Sequence, residues 1–205
     1  MGLVKKLQQQ FEHPSGNTGK LVGWLMHKSN KKLHNWMMER TSILPSHHVL
    51  EIGYGTGRTL HTLAQRATTG TIHGIDHSQL MYQISSDRCR EYILANRVRL
   101  NRATLGDVTF PAHSFHLIYG INVHFFWQQP IPEFARIRQW LKPGGRLVLV
   151  FQPRWIKSET ELFNLAKITR QQVEKAGFNP VMVELRQMKP VGGIYIEATP
   201  TTPIP

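Results

Sequence analysis

Val49-Leu50-Glu51-Ile52-Gly53-Tyr54-Gly55-Thr56-Gly57 is the stretch that decides the fold of this 205-residue chain. Its mainly apolar start predicts a short buried strand, and three glycines follow with one residue between each. Glycine adopts backbone conformations that other residues avoid and has no Cβ, so these glycines predict a tight turn whose backbone can approach a ligand. Residues 58–66 carry apolar side chains at helical spacing. Together they predict a strand, a turn and a helix, the first half of a nucleotide-binding βαβ unit.

The spacing of the glycines distinguishes two kinds of nucleotide site. A dinucleotide fingerprint requires G-x-G-x-x-G, but Arg58 occupies the place of its third glycine and the chain reads G-x-G-x-G after Glu51. A carboxylate at the strand end suits a ligand with an ammonium or sulfonium charge. The stretch from Glu51 to Gly57 resembles the first motif of the class I (Rossmann-like) methyltransferases that use S-adenosylmethionine. A glycine-rich turn that binds no ligand is the alternative.

The resemblance implies residues for the ribose and adenine of that cofactor. Asp76 ends the second predicted strand, about 20 residues after the glycine turn, where a carboxylate can accept hydrogen bonds from ribose hydroxyls. A helix cap is the alternative role for Asp76. His77 follows directly, and Met81 lies where related enzymes often cover the adenine, although a methionine in the core is the competing interpretation.

A second passage of the chain also resembles this family. Gly106-Asp107-Val108 matches a motif whose aspartate accepts a hydrogen bond from the adenine amino group, but His116 stands where the family usually has aspartate. Asn122 follows the fourth predicted strand, at the edge of the sheet where ligands bind. The implied cofactor-binding set is Glu51, Gly53, Tyr54, Gly55, Gly57, Asp76, His77, Met81, Gly106, Asp107, Val108 and Asn122.

The predicted fold class is α/β, with a seven-stranded, mostly parallel, doubly wound sheet whose last strand is antiparallel. Helices are expected on both faces, together with an N-terminal helical extension. Residues 78–96 predict one long helix, and Leu141 to Val150 resembles the family's passage of helix end, Pro-Gly turn and fifth strand. We expect residues 1–40 to form a helical cap over the cofactor and acceptor site, residues 41–198 the methyltransferase domain, and residues 199–205 a flexible tail.

The composition is that of a globular protein with a basic surface. Lys and Arg number 25 against 13 Asp and Glu, a net charge of +12. Such a charge suits nucleic acid, an anionic membrane surface or an anionic small substrate, but the basic residues are spread over predicted helices, which favours ordinary solvated faces. No apolar run approaches the ~20 residues of a membrane span, and we expect no secretory signal. The single cysteine, Cys89, excludes an internal disulfide and a cysteine-rich metal site. We expect a cytoplasmic protein without a metal.

Methyl transfer from a sulfonium is a direct displacement, in which the protein mainly aligns the reacting groups. A general base matters only when the acceptor arrives protonated. His124, at the exit of the fourth strand, is the candidate base, and a packed side chain is the alternative. Aromatic side chains that could line an acceptor pocket, or simply pack in the core, are Trp36, Phe125, Trp127, Trp155 and Tyr195.

Three classes of function remain open. The first is a methyltransferase for a small molecule, with an anionic one among the options, similar to short bacterial enzymes related to quinone-biosynthesis C-methyltransferases. The second is an RNA or DNA methyltransferase that uses the basic surface, but methylation of exocyclic nitrogens usually requires Asn/Asp-Pro-Pro-aromatic where this chain has Asn122-Val123-His124-Phe125. The third is a scaffold that binds the cofactor without turnover. A monomer or a homodimer is expected.

Overall fold

A computed structural model describes residues 30–201, and predictions for residues 1–29 and 202–205 lie outside that range. The strands are Val49–Ile52 (β1), Ile72–Asp76 (β2), Val98–Arg102 (β3), Phe115–Ile121 (β4), Leu141–Phe151 (β5), Phe178–Arg186 (β6) and Gly193–Pro200 (β7). The helices are residues 30–40 (α1), Arg58–Arg66 (α2), Gln79–Arg88 (α3), Arg90–Leu94 (α4), Pro130–Trp140 (α5) and Glu159–Lys175 (α6), with 3₁₀ turns at Leu105–Asp107 and His124–Phe126.

The strands form one seven-stranded sheet in the order β3-β2-β1-β4-β5-β7-β6. Strands β1 to β5 run parallel, and β7 is antiparallel to both β5 and β6. The predicted fold class is therefore confirmed, including the antiparallel last strand. The strand order reverses between β1 and β4, and open α/β sheets bind ligands beyond the carboxyl ends of strands at such a point.

Two apolar layers cover the faces of the sheet. Phe134 and Trp140 of α5 pack on one face with Leu50 and Ile52, while Trp36 of α1 belongs to the layer on the other face. Successive strand residues point to opposite faces, so Glu51 is directed to the same side as α1. Burial of each large apolar side chain contributes about 1.5–3 kcal/mol to folding, which explains why these layers hold the helices on the sheet.

The sequence predicts one continuous helix over residues 78–96, and this prediction is wrong. The structure has two helices there, α3 and α4, which are separated at Cys89. Cys89 has φ −100° and ψ 14°, and its buried thiol points to the carbonyl oxygen of Gly57, 3.6 Å away. The contact holds the end of α3 against the glycine turn, and the chain then turns toward β3. Helical spacing does not reveal a tertiary contact of this kind.

Two strand boundaries also differ from prediction. β5 begins at Leu141, before the Pro-Gly turn, and the irregularity in its pairing with β4 accommodates the extra residues. β7 continues through Pro200, so the first residues of the predicted tail belong to the sheet. The backbone N–H of Thr201 also donates to the carbonyl of Gly177.

None of the helices within residues 30–201 combines the length and apolar character needed to cross a lipid bilayer. The same residues contain no group of three or more His, Cys, Asp or Glu side chains arranged to hold a metal ion.

Candidate active site

The turn after β1 has left-handed backbone at Gly53, Gly55 and Gly57, with φ of 74°, 51° and 68°. A Cβ at Gly57 would lie 2.8 Å from the Cβ of Ser85, so this position requires glycine for close packing as well as for its φ. A Cβ at Gly55 would meet no described atom within 4 Å, because this part of the turn faces open space. The turn is therefore packed from one side and exposed to a ligand from the other.

Helix α3 supports the turn from its packed side. The Ser85 hydroxyl donates to the carbonyl of Gly55 at 2.7 Å, and the Arg88 guanidinium donates to the carbonyl of Thr56 at 2.7 Å. Sequence reasoning did not identify Ser85 or Arg88 as parts of the site. Their spacing places them on one face of a helix, but spacing alone does not say what that face contacts.

Asp76 joins the end of β2 to the glycine turn. Its Oδ2 accepts from the backbone N–H of Gly55 at 2.8 Å, and its Oδ1 accepts from that of Ser78 at 2.9 Å. Burial raises the pKa of this carboxyl, while the two backbone donors and His77 lower it in part. The Ser78 hydroxyl accepts from the N–H of Met81 and caps α3, so the helix cap considered for Asp76 falls to Ser78.

Glu51, at the carboxyl end of β1, is buried with only 3% of its surface exposed. Its Oε2 has no hydrogen-bond partner within residues 30–201. Burial raises the pKa of Glu51 to about 8, and the nearby Asp76 carboxylate adds to this rise, whereas the Tyr119 and Thr59 hydroxyls lower the pKa. The Tyr119 hydroxyl is close enough to lower the pKa of Glu51, but it makes no hydrogen bond to a described residue. A buried carboxylate oxygen without a partner is costly and marks a place for a ligand donor or cation.

A cavity of about 810 Å³ lies beyond the carboxyl ends of β1, β2 and β4. The cofactor-binding residues predicted from sequence that line it are Glu51, Gly53, Tyr54, Gly55, Asp76, His77, Met81 and Asn122. Its volume is toward the upper end of the ~300–1,000 Å³ typical of ligand sites, large enough for a nucleoside and a second small molecule.

Gly57 and the passage Gly106-Asp107-Val108 do not line this cavity. The Asp107 carboxylate accepts from the N–H and the hydroxyl of Thr104, at 3.0 and 2.6 Å, in a capping box. These hydrogen bonds lower the pKa of Asp107. Thr104 and Leu105 line the cavity beside it, and the adenine contact of Asp107 remains a prediction.

Helix α1 forms a wall of the cavity through Asn30, Lys31 and His34, which share one helix face. The His34 Nδ1 lies 3.0 Å from the Thr59 Oγ1. The Asn122 amide donates to the Oδ1 of Asn30 at 2.8 Å. The cap over residues 1–40 remains a prediction, of which the structure describes residues 30–40. The site predicted from sequence did not include Lys31 or His34.

His124 is placed behind the cavity wall and does not line the cavity. Only 5% of its surface is exposed, and its ring packs 4.2 Å from that of Phe151 and edge-on against Phe125. Burial lowers the pKa of His124 to about 3. A weakly basic imidazole enclosed by aromatic rings is not positioned to take a proton from a ligand, which corrects the sequence-based assignment of His124 as a base.

The residues predicted for the acceptor pocket separate into two groups. Trp127 lines the cavity, together with Phe126, which the sequence-based set omitted. Phe125 contacts both Phe126 and Trp155, with ring centroids 4.7 and 4.9 Å apart.

Trp36 and Tyr195 belong to the core instead of the cavity. Both are fully buried with ring centroids 5.7 Å apart, and the Tyr195 hydroxyl donates to Glu197 at 2.6 Å. The Arg186 guanidinium lies over the ring of Trp36, 4.5 Å from its centroid. Their assignment to the acceptor pocket is therefore corrected, because these contacts leave no surface for a ligand.

Comparisons with known proteins agree with this architecture. A family model described as a methyltransferase domain matches residues 49–145. An uncharacterised methyltransferase of Bacillus subtilis is 25% identical over 83% of this chain and 92% of its own length. A demethylmenaquinone methyltransferase of Tropheryma whipplei is 36% identical over 49% of this chain, which spans only 40% of that protein. A ubiquinone/menaquinone biosynthesis C-methyltransferase of Geotalea daltonii is 25% identical, covering 71% and 63%.

Solved structures show the same fold. A methyltransferase from Aquifex aeolicus superposes with a TM-score of 0.64 at 15% identity, covering 95% of this chain and 96% of its own. A phosphoethanolamine N-methyltransferase of Haemonchus contortus, in complex with phosphomonomethylethanolamine and S-adenosylhomocysteine, superposes with a TM-score of 0.72 at 14% identity, covering 90% and 58%. At these identities the likeness extends to the fold alone.

Proposed function

We propose that this chain, which belongs to the class I S-adenosylmethionine-dependent methyltransferases, transfers the methyl group of its cofactor to a small apolar molecule. The observation that carries the proposal is the composition of one cavity. Its lining combines the open glycine turn and the buried Glu51 with the aromatic rings of Phe126 and Trp127. This lining supports a charged donor and an apolar acceptor bound side by side in one cavity.

The residues at the glycine turn fit S-adenosylmethionine. Gly55 leaves its backbone open to a ligand, and the Glu51 Oε2 is a buried acceptor without a described partner. Asp76 lines the cavity, and its oxygens have lone pairs beyond the two that the backbone N–H groups use. When bound, the cofactor supplies a methyl group activated by a positively charged sulfur. A cation near Glu51 favours the ionised carboxyl, so binding would offset part of the cost of burying that charge.

The other part of the lining suits an acceptor with a flat apolar body. Ile121, Val123, Phe126 and Trp127 contribute apolar surface, and aromatic rings favour stacked or edge-on contacts with a planar ligand. The relatives named for demethylmenaquinone and for ubiquinone/menaquinone biosynthesis support an acceptor of the quinol class. Lys31 and His34 of α1 lie in the same lining and would orient the polar groups of such a ring.

The acceptor atom bonds to the methyl carbon as the bond from that carbon to sulfur breaks, and the proton that a quinol gives up would pass to a basic group of the lining such as His34. Alignment of the acceptor atom with the methyl carbon supplies most of the rate enhancement in a direct displacement. The α1 wall and the aromatic side chains would exclude water from this reaction. The nucleic-acid alternative rests on the basic charge alone, since residues 122–125 lack the Asn/Asp-Pro-Pro-aromatic motif.

The test uses the full chain in two steps. Calorimetry with S-adenosylhomocysteine measures donor binding, and transfer of labelled methyl from S-adenosylmethionine to a naphthoquinol that lacks a ring methyl measures turnover. We expect binding with a 1:1 ratio, and transfer to the quinol but not to a transfer RNA transcript. Absence of binding would refute the donor site. Binding without transfer to any of a panel of small acceptors would favour the scaffold.

A further inference from the structure

Three aromatic rings run from the cavity to the surface of the molecule. Phe126 lines the cavity and has 55% of its surface exposed. Phe125 contacts the ring of Phe126 and also the ring of Trp155, which is 56% exposed. We call Phe125, Phe126 and Trp155 the aromatic patch. A single exposed aromatic residue is ordinary, but a contiguous apolar group at a cavity mouth is typical of an interaction site.

Basic side chains flank Trp155 in the loop that follows β5. Arg154 and Lys157 are both exposed, whereas Ile156 between them is buried. The Glu161 carboxylate accepts a hydrogen bond from the backbone N–H of Lys157 at 3.0 Å. This nearby negative charge is therefore partly engaged by the backbone. Glu159 is also exposed in the first turn of α6. The loop therefore presents an indole between two cations that extend to solvent.

More positive charge lies at the cavity itself, where Lys31 and Arg58 are exposed lining residues. The chain as a whole carries a net charge of +12. Aromatic side chains bordered by Lys and Arg are the composition of protein surfaces that lie in the interface of an anionic bilayer, where the rings enter the headgroup region and the cations contact phosphates. This charge complementarity favours a lipid surface over an apolar protein partner.

We infer that the aromatic patch docks the protein on a bilayer containing anionic phospholipid, with the cavity mouth directed to the lipid. An apolar acceptor dissolved in the bilayer would then reach the cavity without crossing water. Docking goes beyond the methyl-transfer proposal and does not depend on it, because vesicle binding requires neither donor nor acceptor.

The experiment is co-sedimentation of the full chain with vesicles of phosphatidylcholine alone and of phosphatidylcholine mixed with phosphatidylglycerol. We expect binding to the mixed vesicles and much less to the neutral ones. Trp155→Ser should reduce the partition coefficient by about tenfold, from the loss of buried apolar surface. Arg154→Gln and Lys157→Gln should each reduce it by about fivefold. Trp155→Phe should retain most of the binding.

Leu94→Ser is the matched control. Leu94 is 75% exposed on α4, which contacts β3 at an edge of the sheet. The substitution removes an exposed apolar side chain outside the patch, and the variant should bind like the wild type. No binding to the mixed vesicles would overturn the inference, and so would a loss that Trp155→Ser and Leu94→Ser share equally. Binding that Trp155→Ser leaves unchanged would also overturn it. Donor binding is measured separately. A protein that binds the donor but not the vesicles contradicts only the docking inference, and one that binds the vesicles but not the donor contradicts only the methyl-transfer proposal.

Discussion

The side chain of Asn122 connects α1 to the sheet through Asn30, 92 positions earlier in the chain. Its amide donates to the Asn30 Oδ1 at 2.8 Å, and its Oδ1 accepts from the backbone N–H of Gln152 at 2.8 Å. The Gln152 amide in turn donates to the carbonyls of Lys189 and Val191. One asparagine thus positions the helical wall of the cavity relative to β4, β5 and the loop between β6 and β7.

Asn122→Ala should loosen α1 and weaken the cavity wall. The substitution removes both side-chain hydrogen bonds and places alanine at φ 56°, which is unfavourable for a residue with a Cβ. We expect a loss of about 1–3 kcal/mol in the free energy of unfolding. Urea titration measures this loss, and faster tryptic cleavage after Lys31 and Lys32, relative to cleavage after Lys175, reports the loosening of α1.

Asn122→Gly separates the two effects, because glycine accepts the backbone conformation but lacks the amide. It should be more stable than Asn122→Ala by about 1 kcal/mol and should show the same faster cleavage of α1. Cleavage of α1 at the wild-type rate in both variants would contradict the connecting role of Asn122.

Gly57→Ala should destabilise the glycine turn through a steric clash with Ser85 as well as through backbone strain. The added Cβ would lie 2.7 Å from the Ser85 Oγ and 3.1 Å from the Ser85 Cα, at a φ of 68°. Gly144→Ala is a matched control, because Gly144 has φ 74° but no described atom within 4 Å of the place that a Cβ would occupy. We expect Gly57→Ala to lose about 1–3 kcal/mol more than Gly144→Ala.

Urea titration of both variants and calorimetry with S-adenosylhomocysteine measure the difference. Donor affinity should fall in Gly57→Ala and remain unchanged in Gly144→Ala, since only the former lies under the ligand site. Equal stability losses in the two variants would show that the contact with Ser85 relaxes at no cost.

The glycine turn and the sheet could be predicted from sequence because their signals are local. Short apolar runs, glycines at alternate positions and Asp76 at a strand end each identify their own element, and the resemblance supplied the number of strands and the antiparallel last strand. The contacts of Ser85, Arg88 and Cys89 with the turn could not be predicted, because helical spacing defines a face but not its partner.

The role of His124 could not be predicted from sequence for a different reason. A three-residue 3₁₀ turn has no periodicity from which to assign a buried side, so a histidine beyond a strand end resembles a site residue whether it faces the ligand or the core. Phe126, two positions later, faces the cavity instead. Trp36 and Tyr195 were equally ambiguous, because large aromatic residues serve cores and pockets alike.

Glu51→Gln should remove a pH dependence of stability in the weakly acidic to neutral range. The folded-state pKa of about 8 lies above the ordinary value of 4.5, so between these values the folded protein binds more protons than the unfolded chain. The contribution of Glu51 is fully present below pH 4.5 and is lost as the pH rises through about 8. The slope attributable to Glu51 is at most about 1.4 kcal/mol per pH unit.

Urea titrations of the wild type and Glu51→Gln across this range measure the slope, and Glu159→Gln, at an exposed position, is the control. The difference between wild type and Glu51→Gln should grow with pH in favour of the glutamine. Donor affinity should fall at least about tenfold in Glu51→Gln, because the neutral amide does not offset a sulfonium charge. Parallel stability curves would contradict the raised pKa.

His116→Asn should make the protein more resistant to acid. The His116 Nδ1 accepts from the backbone N–H of His48 at 2.9 Å, and its ring stacks on His47 with centroids 4.8 Å apart. Burial lowers the pKa of His116 to about 4, and Lys142, His47 and His48 add to this effect. The contribution of neutral His116 is present above pH 6.5 and is lost as the pH falls through about 4, because the unfolded chain binds the proton more tightly.

Asparagine can keep the contact with His48 through its Oδ1 but does not titrate, so the wild type should lose stability relative to His116→Asn as the pH falls from 6.5 to 4. His113→Asn is the comparison, since His113 occupies the same segment but its Nδ1 lies 3.0 Å from the carbonyl oxygen of Leu141 instead. The measurement is the urea midpoint of each protein at intervals over this pH range. The difference at neutral pH gives the stability lost with the ring stacking, and it is subtracted from the differences at lower pH. If the wild type and His116→Asn lose stability in parallel on acidification, the acid sensitivity arises from other groups, and the stacked imidazoles are a neutral packing element at the amino ends of β1 and β4.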